Sequence, residues 1–244
     1  MELLAPFYET IYIFIVLIFT MIYVNKKVNC AITESIEPSL LLCVFMVLFV
    51  GLRPIHPVFA DMIGYANSYQ LFDSVAAFKW TTTSSVLFDF MTEFLAKSKV
   101  PINIYFTIIA ALYFIPMLVA CRKLFPQATM LSFLVCLGAF STFSYGTNGI
   151  RAGIAGSIFL LALAYREKIW LVSILMFMSW GFHHSMSMPI AAFVITLFFK
   201  NNKWYFYGWL LCLVLSLAHI LYFQELFSSL ADDKSAKYLT YAIG

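Results

Sequence analysis

Apolar residues gather along this chain into blocks of about 15 to 20, near the length a helix needs to cross a bilayer. Eight such blocks can be drawn: Ile11–Val24, Ser39–Leu52, Ile102–Ala120, Met130–Tyr145, Ala152–Tyr165, Trp170–Phe182, Met186–Phe199 and Trp204–Phe223. Backbone polar groups in hydrocarbon must be satisfied within their own segment or around a closed barrel. Barrel strands would alternate polar and apolar residues over about ten positions, and these blocks do not alternate. The pattern predicts an all-α polytopic membrane protein of about eight transmembrane helices, residues 1–244 forming a single transmembrane domain.

One connection is long, about residues 53–101, and it is expected on the outer (extracytoplasmic) side. Two stretches in it have amphipathic helical character. Met62, Tyr65, Tyr69, Phe72 and Ala76 share one face of the first, by helical spacing. In the second, Val86 to Lys97, the residues Asp89, Glu93 and Lys97 fall at i, i+4 and i+8 on one stripe, where opposite charges can pair. A solvated loop carrying ordinary interfacial helices would explain the same pattern.

Composition agrees with the blocks. Hydrophobic residues make up 63% of the chain and charged residues 11%, against roughly 25% charged in an average soluble protein. That balance excludes a soluble domain, and a net charge of +3 offers nothing to nucleic acid. Glu2 and Glu9 precede the first block and Lys26-Lys27 follow it, the reverse of a cleavable signal peptide's charge order. Lys26-Lys27, Arg122-Lys123, Arg166 with Lys168, and Lys200 with Lys203 fall in short connections on one side if the helices alternate. Positive residues in short loops mark that side as cytoplasmic. Trp170, Trp180, Trp204 and Trp209 lie near predicted helix ends, as interfacial belts require. Cys30, Cys43, Cys121, Cys136 and Cys212 lack the close spacing of a zinc or disulfide framework and read as free thiols.

Ionisable residues at or near membrane depth are the informative ones, and three clusters fall on the outer side. The first is Gly51-Leu52-Arg53 with Asp61 and Tyr65. The second is Ser144 to Arg151, including Asn148 and Gly149. Gly146 and Gly149 permit a tight backbone turn, and Arg151 is placed in the first turn of the next helix. A helix N-terminus attracts phosphate, and the guanidinium fork suits phosphate oxygens. A snorkelling arginine would also sit at a helix end, but Ala152, Gly153, Ala155 and Gly156 behind it point to a close-packed site. The third cluster is Phe182-His183-His184-Ser185. Adjacent helical residues diverge by about 100°, so a chelating metal site is not expected. One histidine there suits a general base or a phosphate donor, and two interfacial histidines are the plainer alternative. His219, deep in the last block, suits helix packing.

These clusters, in this order, resemble the EpsG family of Wzy-type polysaccharide polymerases. The matching residues are Gly51-x-Arg53 with Asp61 and Tyr65, Asn148-Gly149-Ile150-Arg151 followed by Ala155, and His183-x-Ser185. Leu87-Phe88 to Leu95 stands where the family has a stretch bearing Glu and Phe, and Lys237-Tyr238 to Tyr241 looks like its later Tyr-rich segment. The resemblance implies an enzyme of the bacterial inner membrane acting at its outer face. It would transfer undecaprenyl-pyrophosphate-linked glycan repeat units to a lipid-linked acceptor in O-antigen, capsule or exopolysaccharide synthesis. Cationic donors that stabilise the departing pyrophosphate are then the main catalytic need. Arg53 and Arg151 are the implied pyrophosphate ligands. His183, with His184 as fallback, is implied to bind phosphate or take the acceptor proton. Asp61 is the other implied base or an orienting partner for an arginine, and Tyr65, Asn148, His184 and Ser185 are implied to bind substrate. No metal and no other cofactor is implied, and the adjacent Asp232-Asp233 lacks the Asp-x-Asp spacing of a metal–nucleotide-sugar site. Chain-length regulator and flippase proteins are the implied partners, beside membrane lipid. Family members are expected to be longer, so a chain ending at Gly244 fits a shortened form.

Rival classes fit less well. A transporter of lipid-linked sugars should show mid-span charges or two similar halves, and neither is visible. A membrane sugar acyltransferase could use a helix-end histidine, but no acyl-donor site is marked. A membrane protease would need an activated serine in a Gly-x-Ser setting, which Gly156-Ser157 does not supply.

Overall fold

The computed structural model describes residues 2–29, 37–74 and 85–218. Cys30, Ala76, Lys79, His219, Asp232-Asp233, the Lys237–Tyr241 segment and the end of the eighth apolar block lie outside the described residues. Two compact units are present, Met1–Phe182 and His183–Gly244. Among the described residues all regular structure is helical.

In the first unit a 3-10 turn, Glu2–Phe7, leads into α1 (Tyr8–Asn29). There follow α2 (Glu37–Gly51), α3 (Met62–Ser74), α4 (Val86–Lys97), α5 (Ile102–Leu124), α6 (Thr129–Gly138), α7 (Thr142–Thr147), α8 (Ile150–Ala164) and α9 (Ile169–Phe182). The second unit contains a 3-10 turn, His184–Met186, then α10 (Ser187–Phe198) and α11 (Asn202–Ala218). Two stretches, Leu3–Asn25 and Ile102–Leu124, are helical, 23 residues long and apolar enough to cross a membrane. Glu37–Gly51, Thr129–Gly138, Ile150–Ala164, Ile169–Phe182 and His184–Phe198 are shorter apolar helices. Large apolar side chains stay exposed along α1, α2, α9, α10 and α11, a surface that suits lipid and not water.

The fourth apolar block departs from expectation. Met130–Tyr145 reads as one span, but the helix stops at Gly138 and restarts at Thr142. Side-chain hydroxyls cause the stop by competing for the last carbonyls of α6. Tyr12 donates to the Leu137 carbonyl at 2.7 Å and Thr142 Oγ1 to the Cys136 carbonyl at 2.5 Å. Apolar periodicity carries no sign of such long-range donors. Trp209 also departs from expectation, since it lies within α11 and not at its end.

Helix α5 is the centre of the first unit. Tyr105, Phe106, Ile109 and Phe114 on it are almost wholly buried. It packs on α2 and α8, and α8 packs on α9. Small polar residues join these layers, as is usual between membrane helices. Ser157 of α8 donates to the Tyr113 carbonyl of α5, and Ser179 of α9 donates to the Ala155 carbonyl of α8 at 2.7 Å.

Contacts at the helix ends set direction. Gly51, the last residue of α2, lies against Thr107 near the start of α5. At the other end, Lys123 Nζ stands 5.7 Å from the centre of the Tyr165 ring, joining the C-terminal ends of α5 and α8. Helices α5 and α8 therefore run in one direction and α2 in the other. Arg53 and Arg151 fall at the end of the unit opposite Arg122-Lys123 and Arg166. Tyr8 Oη donates to the Phe49 carbonyl at 2.9 Å, which brings the start of α1 to the Arg53 end.

Helices α3 and α4, from the long connection, fold onto the start of α5. Tyr69 Oη donates to the Val100 carbonyl at 2.5 Å and its ring lies 4.4 Å from that of Tyr105. Thr92 and Tyr105 hydroxyls meet at 3.1 Å. Met62, Ala66 and Tyr69 are the buried face of α3, with Tyr65 half-buried beside them. On α4, Glu93 is buried and paired with Lys97 at 2.5 Å, one turn along the acidic–basic stripe.

Gly51 yields a direct test. A Cβ there would stand 2.6 Å from Thr107 Cα, a backbone atom that cannot rotate away. Gly51→Ala should cost about 1–3 kcal/mol by forcing α2 and α5 apart, read as a lower unfolding temperature in detergent. Gly64→Ala, inside α3 where a Cβ meets nothing within 4 Å, should not lower that temperature and should raise it slightly by helix propensity.

Candidate functional site

Arg53 follows the end of α2 and is 2% exposed. Its Nη1 donates to the Val50 carbonyl at 2.6 Å and its Nη2 to the Thr147 carbonyl at 2.9 Å. Both acceptors close helices, α2 and α7. Helix C-terminal carbonyls lack internal donors and sit at the negative end of the helix dipole, so one guanidinium satisfies two helix ends. The face of the cation lies 5.3 Å from the Phe106 ring centre and 5.6 Å from that of Phe59, within cation–π range. His56 builds the turn that brings Phe59 there: its Nδ1 accepts from Val58 N–H at 3.2 Å and its carbonyl accepts from Phe59 N–H at 3.0 Å. Burial pulls the Arg53 pKa down to about 10, so the group stays charged at neutral pH.

Arg151 sits in the first turn of α8, as its sequence position requires. It is half-buried. Its Nε donates to Tyr65 Oη at 3.3 Å, its Nη1 to Ser85 Oγ at 3.1 Å, and its guanidinium lies 5.7 Å from the Tyr65 ring centre. Tyr65 on α3 is set in turn by an edge contact with Phe88 of α4 at 5.7 Å. Ser85 is fully buried just before α4. Two elements of the long connection thus meet the head of α8 at Arg151.

The α7–α8 junction links the two arginines. Asn148 and Gly149 N–H groups both bond the Ser144 carbonyl, at 2.8 and 3.1 Å, ending α7 tightly. Asn148 Oδ1 is buried with no hydrogen-bond partner among the described residues. The glycines serve space and not left-handed backbone, since none of the described glycines has positive φ. A Cβ on Gly149 would come within 3.0 Å of the Tyr145 ring, and one on Gly153 within 2.6 Å of the Tyr145 carbonyl oxygen. Gly156 meets nothing within 4 Å and takes no part in this packing.

Asp61 immediately precedes α3, is half-buried, and its carbonyl accepts from Tyr65 N–H at 3.1 Å. The first unit therefore brings Arg53, Asp61, Tyr65, Asn148 and Arg151 to one end. His183, His184 and Ser185 open the second unit, half-buried. His183 is extended (φ −159°, ψ 121°) and its carbonyl accepts from Met186 N–H at 3.1 Å, so the 3-10 turn begins only at His184. Helical geometry thus does not govern the relation of the two imidazoles.

Ser85 and the rings of Phe59 and Phe106 lie outside the three sequence clusters. Ser85 is the position just before an amphipathic helix, a place where serine is common as a cap, and it instead faces Arg151. Nothing in the sequence distinguishes Phe106 from its apolar neighbours.

The described residues are helical, with lipid-suited surfaces and two arginines at one end of the first unit, features that suit a membrane protein. The family profile described as the EpsG family matches residues 39–244, and the chain belongs to the EpsG family. That family is associated with membrane polysaccharide biosynthesis of the glycosyltransferase or polymerase type. Neither a curated protein nor a solved structure matches the chain.

Tyr65→Phe should remove the hydrogen bond to Arg151 and keep the ring contacts, at a cost of about 0.5–1.5 kcal/mol. Tyr65→Ala should cost more, because the ring's contacts with Arg151 and Phe88 go as well. Thermal unfolding of the purified chain in detergent orders the two variants.

Proposed function

We propose that this chain is a polysaccharide polymerase of the bacterial inner membrane that uses undecaprenyl-pyrophosphate-linked glycans. The observation that carries this is Arg151 at the head of α8, half-buried beside the Tyr65 and Ser85 hydroxyls, in a chain of the EpsG family. First-turn N–H groups of a helix and an arginine fork together favour a phosphate group.

The chemistry is a substitution at an anomeric carbon. A hydroxyl oxygen of the acceptor unit forms a bond to that carbon, and the bond from the carbon to the pyrophosphate oxygen breaks. The lipid pyrophosphate departs with the electron pair, and the hydroxyl proton passes to a base. Arg151 stabilises the charge that grows on the leaving pyrophosphate. Asp61, just before α3, and His183 are the two candidate bases, since a carboxylate or an imidazole can accept the proton. Tyr65, Asn148, His184 and Ser185 are assigned to substrate binding. The buried Oδ1 of Asn148 suits a sugar hydroxyl as donor.

Complementation of a strain that lacks its own polymerase but makes the matching repeat unit tests the proposal. The wild-type chain should restore a polymer ladder on a gel, and Arg151→Lys and Arg151→Ala should abolish it at equal membrane level. A full ladder from Arg151→Ala would remove that residue from the chemistry. Single repeat units alone in the wild-type lane would reject the polymerase reading.

A further inference from the structure

We propose that Arg53 is a positioning residue of the pyrophosphate site: it holds the α7–α8 junction broken from inside the protein, and so fixes where Arg151 meets the anion. This rests on the function proposed above and refines it, since the resemblance alone casts both arginines as direct ligands.

Three observations carry the inference. First, Arg53 has no face to offer an outside anion. It is 2% exposed, its two terminal nitrogens are bonded to carbonyls, and rings cover its plane. Its remaining donor, Nε, is buried and meets no acceptor among the described residues. Arg151, in contrast, is half-buried, and its contacts include two neutral hydroxyls, Tyr65 Oη and Ser85 Oγ, whose place a charged phosphate oxygen can take.

Second, the carbonyl that Arg53 occupies is a particular one. In an unbroken helix the carbonyl of residue i accepts from the N–H of residue i+4. The donor for Thr147 would then be the backbone N–H of Arg151 itself. Arg53 Nη2 takes that place at 2.9 Å. The chain turns at Gly149, where ψ is 46°, and α8 starts afresh at Ile150. With Thr147 engaged elsewhere, α8 starts on its own bonds, Ile150 N–H to the Asn148 carbonyl at 2.8 Å and Gly153 N–H to the Gly149 carbonyl at 2.9 Å, which sets Arg151 in the new first turn.

Third, Arg53 ties the junction to a backbone-close helix contact. Its other terminal nitrogen is bonded to Val50, one residue before Gly51, which lies against Thr107 of α5. The position of Arg151 is thereby referred to the α2–α5 packing through one side chain.

A binding cycle on the full chain in nanodiscs tests this, with undecaprenyl pyrophosphate as probe. The variants are Arg53→Gln, which keeps an amide donor without charge, Arg151→Ala, and the two combined. Arg151→Ala should weaken binding about tenfold or more, and Arg53→Gln should weaken it less. The double variant should bind no more weakly than Arg151→Ala, because Arg53 acts through Arg151 and such effects do not add. Losses that multiply in the double variant would show that Arg53 contacts the anion directly and would overturn the proposal. Hydrogen exchange without any probe supplies a second, independent readout. Arg53→Gln should speed exchange in peptides spanning 144–153 by about tenfold through local opening, while peptides from α9 keep the wild-type rate. Unchanged exchange at 144–153 would overturn the positioning role whatever the chain binds. A wild-type chain without affinity for the probe, yet with the expected exchange change, would sink the proposed function and leave the positioning role standing.

Discussion

A guanidinium buried among helix ends organises one end of this protein. Removing an arginine from water costs several kcal/mol unless its donors are satisfied, and Arg53 meets that cost with acceptors whose own need is equal. The carbonyls of Val50 and Thr147 terminate α2 and α7 and would otherwise be bare. Carbonyl oxygens at two helix C-termini present concentrated negative potential, so they suit a buried cation. The rings of Phe59 and Phe106 complete the enclosure. The arrangement also explains why Gly51 precedes Arg53 so closely. The helix must approach α5 to backbone distance before the arginine can reach across to α7.

The two arginines therefore differ in environment more than in chemistry. Arg53 faces inward on backbone carbonyls, which are fixed. Arg151 faces hydroxyls of Tyr65 and Ser85, carried on or beside α3 and α4. Those helices rest on the start of α5 through Tyr69, Thr92 and Tyr105. Helices α3 and α4 of the long connection thus pack beside the head of α8, and α4 carries its own Glu93–Lys97 pair with the carboxylate buried.

Much of the site was legible from residue types alone. Gly-x-Arg after an apolar run and Asn-Gly-x-Arg before another are costly at a membrane boundary, so both motifs marked themselves as informative. The amphipathic face of α3 was readable at Met62 and Tyr69, because period 3.6 survives without knowledge of partners. The break between α6 and α7 was not readable, since it depends on Tyr12 reaching the Leu137 carbonyl from another helix. The tight turn at Gly149 was expected from the glycine, but the space that Gly149 and Gly153 leave for Tyr145 was not, because a sequence shows the missing Cβ and not what would fill its place.

Helicity, apolar surfaces and EpsG membership follow from the sequence by itself, because apolar block length and motif order are local properties of the chain. That the arginines gather at one end was also inferable, from alternation of the blocks. What each arginine does with its donors was decided only by tertiary structure. A guanidinium's character is set by which oxygen lies 3 Å away, and Val50, Thr147, Tyr65 and Ser85 come within reach only when separate helices pack. Local spacing can place a charge at a helix end, but only packing determines whether that charge looks inward to hold the fold or outward toward a substrate.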